Sequence, residues 1–252
     1  MFAHVELRHA QECLTQNDLE IVHSCELPFS EWSEEDHTDA YQLLQKISQH
    51  FKYYVCIGQG DPFRWHIAPV NEDDNYIKRN YQVIYRLLMG AYANPLSGTP
   101  VLEDHSYAIA EKPEANPFVD PAVIERQKIT ESNEAYVLYN YAPLLSTHLL
   151  LLPKEWRGNM STLQEQEFVS ICQLASQAMK KLDGSIFLFF KQGAPAGQTV
   201  PHFHLHLVRA GSEADVLCGK LHILKKMLFG ASPLDDDELK ARIDNHRTLF
   251  SP

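Results

Sequence analysis

The sequence predicts an α+β fold: an antiparallel sheet with helices packed on it, laid down twice within one chain. Three observations carry this expectation. The second half patterns as strand, strand, helix, strand, loop, strand; the first half repeats that order in a worn form; and residues 202–207 alternate histidine with apolar side chains. At 252 residues the chain is long enough for one large domain or for two half-sized units.

In the first half, strands are expected at 5–9 and 19–23, followed by a helix capped by Ser33 whose apolar face carries Ala40, Leu43, Leu44 and Ile47. Further strands are expected at 52–57 and 63–70. Under the duplication, residues 53–57 correspond to 186–190, and 63–67 to part of the histidine strand. Residues 73–89 place Ile77, Tyr81, Ile84 and Leu88 on one helical face, and Asn94-Pro95-Leu96-Ser97-Gly98 then breaks the chain. From there to about Pro121, proline and acidic residues suit a linker or a long surface loop. The division is therefore 1–95, a degenerate half; 96–125, the linker; and 126–252, the site-bearing domain.

The second half reads more clearly. Strands at 135–141 and 147–152 flank a turn at Ala142-Pro143. Ser161 with Gln164 makes a capping box, and Phe168, Ile171, Leu174, Ala175, Ala178 and Leu182 share one helical face until Asp183-Gly184 stops the helix. A strand at 185–190, a glycine-bearing loop at 191–197 and a strand at 199–209 follow. Helices at 213–229 and 235–249 close the chain. The acidic runs Glu34-Glu35-Asp36 and Asp235-Asp236-Asp237 sit where helix N-termini favour carboxylates.

Composition narrows the partners. A net charge of −11 with no offsetting basic cluster repels long polyanions, so duplex nucleic acid is not expected. A small anion in a locally positive pocket remains compatible with it. The N-terminus lacks a secretory pattern and no apolar run approaches the roughly eighteen residues of a membrane span, so a cytoplasmic protein without membrane contact is expected. The five cysteines, Cys13, Cys25, Cys56, Cys172 and Cys218, are odd in number and scattered, which suits neither a disulfide framework nor a zinc site.

The chemistry concentrates in Gly197-Gln198-Thr199-Val200-Pro201-His202-Phe203-His204-Leu205-His206-Leu207-Val208. On a strand, His202, His204 and His206 face one way and Phe203, Leu205 and Leu207 the other, with neighbouring imidazoles about 6 to 7 Å apart. Three rings can then surround one phosphate. A neutral imidazole is a nucleophile near physiological pH, and its attack on phosphorus would give a covalent phosphoramidate. The preceding loop could bring backbone N–H groups to the phosphate oxygens. The rival reading is zinc held by the same nitrogens, although the nearby sequence offers no water-activating partner. A nucleotide-binding module that no longer uses its chemistry is a third.

The segment from Gln198 to Val208 resembles the defining His-x-His-x-His motif of the histidine-triad (HIT) family, and residues 139–154 are similar to that family's first strand pair. The resemblance covers roughly 129–209 and implies a HIT-like antiparallel sheet. It implies that His204 is the nucleophile, that His206 binds phosphate and positions that ring, and that His202 supports the pocket or the strand geometry. His148 would face the triad from the neighbouring strand. Asn140 would bond the ribose hydroxyls, though it also suits a turn before Pro143. Gln198, Thr199 and Gly197 would serve the phosphate.

Lys191, followed by Gln192, stands where the family usually has Asn or Gln, so a lysine there could meet an extra phosphate or an anionic leaving group. The full triad, with His206 in third position, favours hydrolysis over nucleotidyl transfer. No cofactor or bound metal is implied for the covalent step, although a divalent cation can accompany the nucleotide. Small family members pair through a shared sheet, so the implied assembly is a monomeric pseudo-dimer or a homodimer. It would have one live site, since Arg64 and His66 occupy the first copy without a triad.

Overall fold

Nine strands form among the described residues of the computed structural model, which are 4–11, 17–72, 100–105, 107, 112–211, 225–226 and 230–251. They are β1 (Val5–His9), β2 (Leu19–His23), β3 (Tyr54–Gln59), β4 (Arg64–Pro69), β5 (Lys128–Glu131), β6 (Ala135–Tyr139), β7 (His148–Pro153), β8 (Ile186–Gln192) and β9 (Leu205–Arg209). The helices are α1 (Glu34–His50), α2 (Pro121–Gln127), α3 (Glu165–Met179) and α4 (Asp236–Arg247). All strands join one sheet in the order β1-β2-β4-β3-β8-β9-β7-β6-β5, with every neighbouring pair antiparallel. Read outward from the β3–β8 pair, the first four strands on each side follow the same order, and β5 adds a fifth to the second side. No helix of the described residues is long and apolar enough to cross a membrane.

Side-chain alternation gives the sheet two unlike faces. Leu149, Leu151, Leu188, Phe190, Leu205 and Leu207 enter a large core with Ala40, Leu44 and Ile47 of α1, Phe168, Ile171 and Ala175 of α3, and Leu239 and Ile243 of α4. On the opposite face, Phe187, Phe189 and Val208 pack with Val55 and Ile57, while Leu150 and Leu152 pack with Phe118 and Ile124. The candidate site lies on this second face. Leu151 is fully buried in the main core. We expect Leu151→Ala to lower the unfolding free energy by about 2–5 kcal/mol, the usual cost of a core cavity, as a shift of the urea midpoint.

Helix starts follow local chemistry. Asp36 accepts a 2.7 Å bond from the Ser33 N–H while Ser33 Oγ caps the Asp36 N–H, and the Asp235 side chain caps α4 through the Glu238 N–H at 2.8 Å. The start of α3 corrects the sequence expectation. Ser161 lies in a short 3₁₀ turn, and Glu167 instead reaches back 2.8 Å to the Gln164 N–H.

Three further expectations are corrected. The histidine strand starts at Leu205 rather than at 199, because Pro201 has no N–H to give a ladder and the His202 N–H turns back to Val200 O at 2.8 Å. The 96–125 stretch is not all linker: Phe118 and Ile124 are buried, α2 begins at Pro121, and β5 follows directly. The expected pairing of residues 53–57 with 186–190 does not match side-chain faces. Tyr54 and Cys56 share the main core with Leu188 and Phe190, whereas that pairing sets Tyr54 against Phe187 on the opposite face. The helix expected at 73–89 lies outside the described residues, as does that at 213–229 apart from Lys225 and Lys226, which are helical.

Candidate active site

Strand β9 and the turn before it carry the histidines, and each ring is tied differently. His202 is fully buried; its Nε2 is 3.2 Å from Pro153 O and its Nδ1 is 3.1 Å from the Asn116 side-chain nitrogen. A carbonyl only accepts, so Nε2 carries the proton and Nδ1 accepts from Asn116. Both nitrogens are thereby engaged. Burial pulls the His202 pKa down to about 4, keeping the ring neutral. Its role is in the geometry of the turn, and its own carbonyl takes a 2.7 Å bond from His204 Nδ1.

That bond fixes the tautomer of His204. Nδ1 carries the hydrogen, so Nε2 keeps its lone pair. Burial lowers the His204 pKa to about 4, and the Lys191 charge pushes the same way. A second chain of bonds orders the neighbouring rings. The Leu144 N–H donates to His148 Nδ1 at 3.0 Å, so His148 holds its hydrogen on Nε2 and donates to His206 Nδ1 at 2.9 Å. His206 is left with its own hydrogen on Nε2. Burial depresses both rings, His148 to about 3. Phe189 stacks flat on His206 with centroids 4.3 Å apart, and the rings of His204 and His206 lie 4.8 Å apart.

His204 and His206 line a cavity of about 410 Å³ together with Asn140, Tyr141, Leu150, Phe118, Thr199 and Arg126. That volume lies in the usual range for small-molecule sites. The Phe118 ring meets the edges of both His202 and His204. Asn140 meets both of its expected descriptions: Oδ1 accepts the Ala142 N–H at 3.0 Å, a turn bond, while its amide nitrogen lies against His148 and the residue lines the cavity. Phe118, Arg126, Tyr141 and Leu150 were not anticipated from sequence. Only the apolar Phe118 and Ile124 within a proline-rich stretch hinted that it packs.

The loop departs from expectation in two places. Gln192 faces away from the site: it is buried beside Ser48 on the α1 side, because alternation gives the site face to Lys191. Gln198 is turned inward as well. Its Oε1 accepts the Gly193 N–H at 2.8 Å and its Nε2 donates to Gly158 O at 2.9 Å. The N–H groups of Ala196, Gly197 and Gln198 bond carbonyls within the loop. These bonds hold the loop rather than a phosphate, and Thr199 is the loop residue at the cavity. A Cβ at Gly193 would strike the Tyr53 ring at 2.5 Å, so only glycine lets β8 leave the sheet there.

The other side of the sheet holds a counterpart. His206 lies opposite Leu150, with His148 two residues earlier on β7; His66 lies opposite Glu20, with Asp18 two residues earlier. His66 and Asp18 are 2.9 Å apart, as are His206 and His148. Arg64 stands two residues before His66, where β9 is preceded by His204, and it pairs with Glu20 at 3.7 Å. A larger cavity of about 1070 Å³ lies over Glu20, Arg64 and His66. Its imidazole lies between two carboxylates, with Nε2 2.9 Å from Asp18 and Nδ1 3.8 Å from Glu20.

His204 thus offers a neutral imidazole anchored through Nδ1, with the His206 ring beside it. Residues 122–212 match the HIT domain model. Diadenosine 5',5'''-P1,P4-tetraphosphate phosphorylase 2 of Saccharomyces cerevisiae is 27% identical over 158 residues, 59% of this chain and 47% of that protein, so the chain spans about half its length. A bifunctional bis(5'-adenosyl)-triphosphatase/adenylylsulfatase of Arabidopsis thaliana is 29% identical over 132 residues, 46% of this chain and 73% of that one. A uridylyltransferase structure shares the fold over 98% of this chain and 89% of its own, with a TM-score of 0.58 and 11% identity.

Proposed function

We propose that this chain cleaves a nucleoside phosphate at its α-phosphate through a nucleotide covalently held on His204. The observation that carries this reading is the anchoring of His204 Nδ1 to the His202 carbonyl, which leaves the Nε2 lone pair beside the His206 N–H. Nε2 attacks phosphorus, the bond to the bridging oxygen breaks, and that oxygen leaves with the electron pair. The His206 Nε2–H can donate to a phosphate oxygen as its charge grows. Water then forms the second P–O bond, loses a proton, and the electron pair of the N–P bond returns to Nε2. Phe118, Val123 and Leu150 supply the apolar wall for a base, with Asn140 at the ribose.

The substrates we favour are dinucleoside polyphosphates and related nucleoside phosphates or phosphoramidates. The yeast phosphorylase supports a second reading, in which inorganic phosphate replaces water as the acceptor. A divalent cation would enter with the polyphosphate as part of the substrate. The matching strand order on either side of β3–β8 supports a duplicated, intrachain pseudo-dimer in which Arg64, at the place of His204, leaves the first half without a nucleophile. Rapid quenching during turnover of diadenosine tetraphosphate, followed by peptide mass analysis, should find one nucleotide on the peptide containing His204. A reacting enzyme that never shows this adduct would overturn the scheme.

A further inference from the structure

Lys191 is a half-buried ammonium on the site face of β8, and no salt bridge reaches it among the described residues. Continuing the β8–β9 register beyond Phe189 and His206 sets Lys191 across from His204. It shares the site face with Phe187 and Phe189, and its Nζ is 3.1 Å from where a Cβ on Gly197 would be. Gly197 takes a left-handed backbone at φ +87° and brings the loop close beside the amine. Burial draws its pKa down to about 8, and no carboxylate among the described residues offsets that effect. Leaving a buried cation unpaired costs stability unless an anion comes to it.

The rings around it cannot be that partner. His204 and His206 are held neutral, and their own pKa values are pushed down further by the lysine's charge. A ligand anion can therefore serve as its counter-ion. The lysine's charge acts on both His204 and His206, which line the cavity together with Thr199 of the same loop.

We propose that Lys191 binds the second phosphate of the substrate, so that the site selects nucleotides whose leaving group is itself a phosphate over nucleoside phosphoramidates. This rests on the His204 reading above. When the bond from phosphorus to the bridging oxygen breaks, that oxygen becomes a terminal oxygen of the departing phosphate. The fixed ammonium neutralises it and no proton need be supplied. A phosphoramidate releases an amine, which needs a proton and gains nothing from a cation.

The test compares AMP, which has no second phosphate, with ADP by calorimetry on the intact protein. Lys191→Gln should weaken ADP binding about 30-fold or more and AMP less than about 3-fold, and Lys191→Arg should restore most of the ADP affinity. In turnover, Lys191→Gln should lower kcat/KM for diadenosine tetraphosphate at least about ten-fold more than for adenosine 5'-phosphoramidate. Its melting temperature should not fall, which separates this role from a structural one. Equal losses for both nucleotides, or none, would overturn the proposal. If the His204 adduct forms and the ADP-to-AMP ratio does not move, the inference about Lys191 fails while the nucleophile stands. If the ratio moves and no adduct forms, the phosphate subsite stands and the covalent scheme fails.

Discussion

His204→Ala should lower kcat/KM by on the order of 10⁴-fold or more against any substrate the wild-type protein turns over, because losing a nucleophile removes the whole covalent route. The protein should remain folded. The ring is only partly buried, and its one anchoring bond runs to a carbonyl that also lies 3.4 Å from Gln198 Nε2. Circular dichroism and urea midpoints should therefore be near those of the wild type while activity vanishes. His206→Ala should be milder, about 10²-fold to 10³-fold, since it removes one donor to the phosphate and spares the nucleophile. A His204→Ala protein that retained a tenth of its activity would end the covalent reading.

The second large effect is acid unfolding above the range in which carboxylates protonate. Burial depresses His37 and His202 to about 4 and His148 to about 3, and all three are nearly inaccessible. In the unfolded chain the same rings titrate near 6.5. Their neutral native form thus costs nothing above pH 6.5, and stability is lost as pH falls from there toward the folded values. At pH 5 each contributes a loss of about 2 kcal/mol, on the scale of the net stability of a whole domain when taken together. The urea midpoint should fall steeply between pH 6.5 and 4.5. A midpoint that stayed flat across that window would contradict the burial assigned to these rings. His37 has neither ring nitrogen bonded among the described residues and is ringed by Phe29 and Trp32, so His37→Leu should soften the acid transition.

Much of this was legible in the residues. The alternation of His204 and His206 with Leu205 and Leu207 placed rings and core on opposite faces, as found, and Ser33 and Asp235 announced their helices. What was not legible depended on groups far apart in the chain. Phe118 and Arg126 reach the cavity only because α2 and the turn before it fold over β6 and β7. Gln192 and Gln198 are the right residue types for a phosphate, but the first is turned away by strand alternation and the second is consumed by the loop's own polar groups. The mismatch of faces in pairing the halves came from comparing apolar runs that are buried on both faces, where hydrophobicity carries no phase.

The seam between β3 and β8 has a further consequence. Lys191 sits opposite Val55 in that ladder, and the bend at Gly193 is shaped against Tyr53. The first half is thus the mould in which that bend is cast. Stripped of it, β8 would present a raw, phenylalanine-rich margin inviting any extended peptide to zip on. Residues of the first half that line no part of the cavity therefore shape the site.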